Sequence, residues 1–158
     1  MSHCFENRWL RGTATSSGTW SPTGPPTNLA ISHIRHATQG ALTLANTQPF
    51  VRQLGARTYV FAHNGDLTGL EKHAVSMSAQ RPVGETDSEL AFCLLLARLS
   101  LVWAGVEVPS IEARTSIVAE FASDMRTLGP ANLLYADGDV VVAHGHRRWN
   151  QANRKVEP

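Results

Sequence analysis

The chain has 158 residues, of which 42% are hydrophobic and 17% charged. That is enough for one domain with a real core, and the mixture excludes a wholly disordered chain or a coiled coil. With 14 basic against 13 acidic residues the net charge is +1, so charge points to neither nucleic acid nor an anionic membrane as a partner.

The chain divides into an atypical leader (1–28), an ordered region (29–145) and a polar, basic tail (146–158). Gly, Pro, Ser and Thr dominate the leader from Gly12 to Asn28 and offer little side chain to bury. Leu29 to Arg35 is short, partly apolar and compatible with a strand. A loop then runs through Gly40, Asn46 and Pro49. Arg57 to His63 reads as a strand stopped by Asn64-Gly65, and Leu67 to about Ala79 as a helix. Thr86-Asp87-Ser88-Glu89 matches a capping box, with Thr86 as cap and Glu89 reaching back. The helix after it is apolar almost all round and is expected to be buried. A further helix runs from Pro109 to about Leu128, where Gly129-Pro130 stops it. Asn132 to Ala136 should pair with Asp139 to Ala143 around Asp137-Gly138. Strands, two central helices and strands again imply a layered α/β (α+β) protein with antiparallel pairing.

The longest apolar run, Ala91 to Ala97, is far short of the ~20 residues needed to cross a bilayer. The first residues lack the apolar stretch of a signal peptide. Cys4 and Cys93 alone make no disulfide framework. A cytoplasmic protein is expected. Seven His residues raise the question of a metal. His33 and His36 fall on opposite faces of a strand, however, and no His-Glu-x-x-His or paired Cys occurs. No metal or other cofactor is expected.

Three segments place unusual residues at the ends of expected elements. Arg35 closes a half-buried strand, where a guanidinium needs an anionic partner. Asn64-Gly65 is either a plain hairpin turn or a pair of donors, side-chain amide and backbone N–H, for a developing oxyanion. Asp87 lies in a first helical turn, as ordinary capping or as a carboxylate aimed at an ammonium group. Together these groups are what a pocket needs to hold a free α-amino acid.

The same segments resemble a known family. His33-x-Arg35-x-x-Thr38-x-Gly40, Asn46-Thr47-Gln48-Pro49-Phe50, His63-Asn64-Gly65 and Thr86-Asp87-Ser88-Glu89 follow the ordered motifs of class II glutamine amidotransferases. The likeness spans roughly Leu29 to Gly145. It implies an N-terminal-nucleophile (Ntn) hydrolase fold, an αββα sandwich with mainly antiparallel sheets. It also implies glutamine hydrolysis to glutamate and ammonia, the ammonia passing to an acceptor-substrate synthase or partner chain. By position, Arg35 and Thr38 are similar to the residues on the glutamine carboxylate, and Asp87 to the carboxylate on its amino group. Asn64 and Gly65 are similar to the oxyanion donors, with His63 before them. Gln48 stands where the family usually has His, a mild change in a loop.

The family's nucleophile is a Cys exposed as the first residue, with its own α-amino group as base. Cys4 is the candidate near the start here. It lies 31 residues before Arg35 and behind Met1-Ser2-His3. The expectation is therefore an incomplete or degenerate member, lacking N-terminal strands and with its thiol missing or displaced. The alternative is a catalytically inactive amino-acid-binding module.

Overall fold

The computed structural model describes residues 12–14, 20–22, 29–34, 41–76, 80–103, 107–150 and 155–157. Its centre is a four-stranded antiparallel sheet in the order β3-β4-β5-β6. The strands are β3 (Phe50–Leu54), β4 (Arg57–Gly65), β5 (Ala131–Ala136) and β6 (Val141–His144). Two short antiparallel pairs accompany it. One joins β1 (Gly12–Ala14) and β2 (Trp20–Pro22), the other β7 (Arg148–Asn150) and β8 (Lys155–Glu157). The second pair falls in the segment expected as a tail, where the backbones of His146 and Arg147 also bond to the Asn132 side chain.

Helices α1 (Asp87–Ser100) and α2 (Ile111–Met125) pack on the sheet. Register explains which face they cover. Phe50 lies opposite Phe61, Phe61 opposite Tyr135, and His63 opposite Leu133, so these side chains share one face of the pleat. All are buried, and Phe92 of α1 stacks on Phe61 with ring centroids 5.2 Å apart. The opposite face is more open, with Leu134 and Val141 exposed. A mixed α+β chain with an antiparallel sheet agrees with the expected fold, and the described residues provide one sheet layer and the helix layer on it.

Several local expectations shift. Residues 29–34 form no strand, and Ile34 is exposed. The helix expected from Leu67 to about Ala79 is a 3-10 helix over Leu70–Ser76, and residues 77–79 lie outside the described ones. Asn64-Gly65 does not turn the chain but continues β4, opposite Asn132 and Ala131. The β5–β6 connection is wider than two residues, because Ala136 pairs with Val141. Gly138 takes φ +91° there, a conformation that favours glycine. The Asp137 carboxylate turns inward and accepts the N–H groups of Asp139 and Val140.

That inward turn creates the main polar anchor at this end of the sheet. Arg114 of α2, only 1% exposed, donates Nε to Asp137 at 2.8 Å and Nη2 to Asp139 at 2.6 Å. Tyr135 Oη donates to Asp137, and Arg57 donates to the Asp137 carbonyl and pairs with Asp139. Burial alone pushes the Asp137 carboxyl up, but its donors together hold it below the ordinary range. The charge is thus buried and fully compensated. Arg114→Met should cost about 3–5 kcal/mol in urea unfolding, because Asp137 stays buried with its countercharge gone. Arg98→Ala, which breaks an exposed pair with Asp124, should cost about 1 kcal/mol or less in the same measurement. Equal costs would show that the Asp137 anchor carries no special weight.

Candidate functional site

The site begins at the N-terminus of α1. Thr86 caps the helix by accepting the N–H of Glu89 at 3.2 Å. The second half of the expected capping box is absent. The Glu89 carboxylate instead accepts the N–H groups of Val83 (3.0 Å) and Gly84 (2.6 Å) and pairs with Arg52 of β3. A buried carboxylate takes the strongest donors within reach, and here these are a guanidinium and two loop amides.

Asp87 and Ser88 reach the other strand. Asp87 Oδ2 accepts the N–H of Leu67 at 2.8 Å, two residues beyond Gly65. Its Oδ1 accepts the N–H of Ser88 at 2.7 Å. Ser88 Oγ lies 3.0 Å from Nδ1 of the buried His63, whose Nε2 lies 3.3 Å from the Pro130 carbonyl. A carbonyl only accepts, so Nε2 carries a proton; in the neutral ring Nδ1 is then the acceptor facing the Ser88 hydroxyl, which also lies 3.3 Å from Asp87 Oδ1. The chain from His63 to Leu67, with Asn64-Gly65 in the middle, is thereby bracketed by Asp87 and Ser88.

Gly65 is fixed by space. A Cβ there would meet the Pro130 carbonyl oxygen at 1.7 Å, so any side chain forces backbone apart. Asn64 is exposed, and its carboxamide has no partner among the described residues. Beside this strand end lies an open cavity of about 460 Å³ between residues 66–71 and 82–90. Asp66, Glu71, Glu85 and Asp87 line it, and no basic residue among the described ones does.

The structure therefore brings together His63, Asn64, Gly65 and Asp87. Arg35, Thr38 and Cys4 lie outside the described residues. Cys93 is wholly buried in α1, and burial pushes its thiol up to about 11, which keeps it a protonated core residue. Sequence reading missed Gln48. It sits in no neutral loop position, because its buried carboxamide holds both the N–H and the C=O of His63. Asn46 in the same motif accepts the N–H of Glu85 at 2.8 Å and ties that loop to the lip of the cavity. Only the motif spacing hinted at these roles. Among the described residues, no three His, Cys, Asp or Glu side chains group as a metal site would need, and no helix is long and apolar enough to cross a membrane.

Burial lowers the pKa of His63 from its ordinary 6.5, against the opposing pull of Asp87, the Pro130 carbonyl and Asp66. The unfolded chain therefore binds a proton at a pH where folded His63 does not. Its contribution to stability is complete above about pH 6.5 and lost as the pH falls further. Urea unfolding followed from neutral pH downward should show this loss, and His63→Gln should flatten it. An identical acid limb in the variant would assign the effect elsewhere.

Comparison with known proteins adds the family context. The profile of the family described as "Glutamine amidotransferases class-II" matches residues 25–157. The chain is 40% identical over 114 residues to the Escherichia coli protein named "Putative glutamine amidotransferase YafJ", covering 72% of this chain and 44% of that protein. A Haemophilus influenzae protein named "Putative glutamine amidotransferase" is 32% identical over 126 residues, covering 80% and 42%. The crystal structure titled as a predicted glutamine amidotransferase from Pseudomonas aeruginosa superposes with a TM-score of 0.59 at 38% identity, covering 72% of this chain and 43% of that one. The chain thus spans less than half the length of these relatives.

Proposed function

The chain belongs to the class II glutamine amidotransferases, and from that membership and the geometry beside Asp87 we propose that it binds L-glutamine and hydrolyses its side-chain amide to glutamate and ammonia. One observation carries the reading: a carboxylate at the wall of an open cavity is hydrogen-bonded to the backbone two residues beyond Asn64-Gly65. A carboxylate offers about four lone-pair sites; the N–H groups of Leu67 and Ser88 take two, and the Ser88 hydroxyl lies within reach of a third at 3.3 Å. The remainder can accept from an α-ammonium group. The glutamine amide carbonyl then lies toward Asn64 Nδ2 and the Gly65 N–H, the two donors that stabilise charge on that oxygen during attack. Arg35 and Thr38, by their place in the motif, take the α-carboxylate.

Attack needs a thiolate. It adds to the amide carbon, ammonia leaves, and water hydrolyses the thioester to glutamate. The buried, protonated Cys93 cannot serve, which leaves Cys4 as the chain's own nucleophile. The same burial of Cys93 favours a second reading, a module that binds glutamine without hydrolysing it. In either case transfer of ammonia to an acceptor would require a partner synthase or further protein.

Titration calorimetry with L-glutamine tests the site, and ammonia release tests the chemistry. Asp87→Asn keeps an acceptor but loses the charge and should weaken binding by about ten- to a hundredfold. Unchanged affinity would overturn the assignment of Asp87. Cys4→Ala should bind glutamine as the parent does and release no ammonia. Ammonia release equal to the parent's would exclude Cys4, and release by neither protein would favour the binding module.

A further inference from the structure

We infer that Gln48 is a positioning residue for the oxyanion donors, its side-chain carboxamide serving as the last rung of the β3–β4 ladder. This rests on the glutamine-site reading and deepens it. Phe50 pairs with Phe61, so the next hydrogen-bonding position along β3 would be residue 48 opposite His63. The main-chain register of the two strands, however, ends at Phe50 opposite Phe61. Gln48 fills the gap with its side chain. Oε1 accepts the His63 N–H at 2.5 Å, and Nε2 donates to the His63 carbonyl at 2.9 Å.

The two bonds reproduce what a paired strand residue would offer, one acceptor and one donor in the same plane. They hold the peptides on either side of His63, and the second of these links His63 to Asn64, so its orientation sets where the next two residues point. Pro130 blocks Gly65 from one side and Gln48 pins the preceding peptide, leaving little freedom to the donors. Both clamp bonds are buried, and an unpaired donor or acceptor there would be costly. Ionisable groups acting on His63 are Asp87 of α1 and Asp66 after β4, while Arg52 of β3 is engaged by Glu89.

The side-chain clamp makes a proton-dependent test available. In Gln48→Glu a carboxylate can accept from the His63 N–H but cannot donate to its carbonyl. A protonated carboxyl can do both, as Gln does, and burial favours that form. Calorimetry with L-glutamine should show Gln48→Glu weaker than wild type by on the order of tenfold at about pH 8 and recovering as the pH falls toward about 5.5. Gln48→Leu, which can form neither bond, should stay weak across the same range, with wild type as the reference for the titration of His63 itself. Amide hydrogen exchange gives an arm that needs no ligand: the His63 N–H should lose protection in Gln48→Leu while the amides of β5 keep theirs. Wild-type affinity in both variants at every pH overturns the positioning role, even if their melting points fall. Unaltered exchange at His63 overturns the clamp itself. If the wild type does not bind glutamine but His63 exchange changes as expected, the glutamine reading fails and the clamp stands.

Discussion

Three consecutive side chains at the start of α1 reach in three directions. Asp87 takes the backbone of Leu67, Ser88 takes His63, and Glu89 takes Arg52 together with the loop amides at 83 and 84. One helical turn thereby fastens β3, the end of β4 and both lips of the cavity to a single rigid element. A helix N-terminus suits this task. Its positive dipole end favours carboxylates, and its own free N–H groups keep Asp87 and Ser88 in place. If that turn moved, Asn64-Gly65 and the cavity wall would separate, whatever the state of the hydrophobic core.

The opposite end of the sheet holds the helix layer together by different means. Arg114 is almost wholly buried, and its two carboxylate partners lie in the β5–β6 turn. The Tyr135 hydroxyl and two backbone N–H groups complete the coordination of Asp137. This cluster lies away from the cavity wall. The division is physically sensible: a satisfied ion pair rigidifies one end, and a partly satisfied carboxylate, Asp87, faces open space at the other.

The frame was legible where one physical signal dominates. The capped, almost wholly apolar run after Thr86 could only be a buried helix, and the runs of β4 and β5 read as strands. The grouping of His63, Asn64, Gly65 and Asp87 followed from motif order. What escaped notice depends on contacts distant in sequence. Nothing local says that Glu89 will abandon its cap for Arg52, 37 residues earlier, or that Gln48 will pair with a peptide 15 residues later. Asn64-Gly65 is the strongest short turn signal in the chain, yet pairing with β5 kept it extended. The Asp137-Gly138 turn widened because its carboxylate found a guanidinium on α2. In each case contacts distant in sequence overrode a local preference.

The account stands on the start of α1 and the end of β4 forming one cradle for L-glutamine. Backbone amide chemical shifts of the intact chain, followed as L-glutamine is added, address this directly. The account predicts saturable shifts centred on Gly65, Asp66, Leu67 and Ser88, with the Gly138 turn unaffected. Shifts centred on the Asp137–Val140 turn, or none at residues 65–67 and 88 at saturating glutamine, would contradict it.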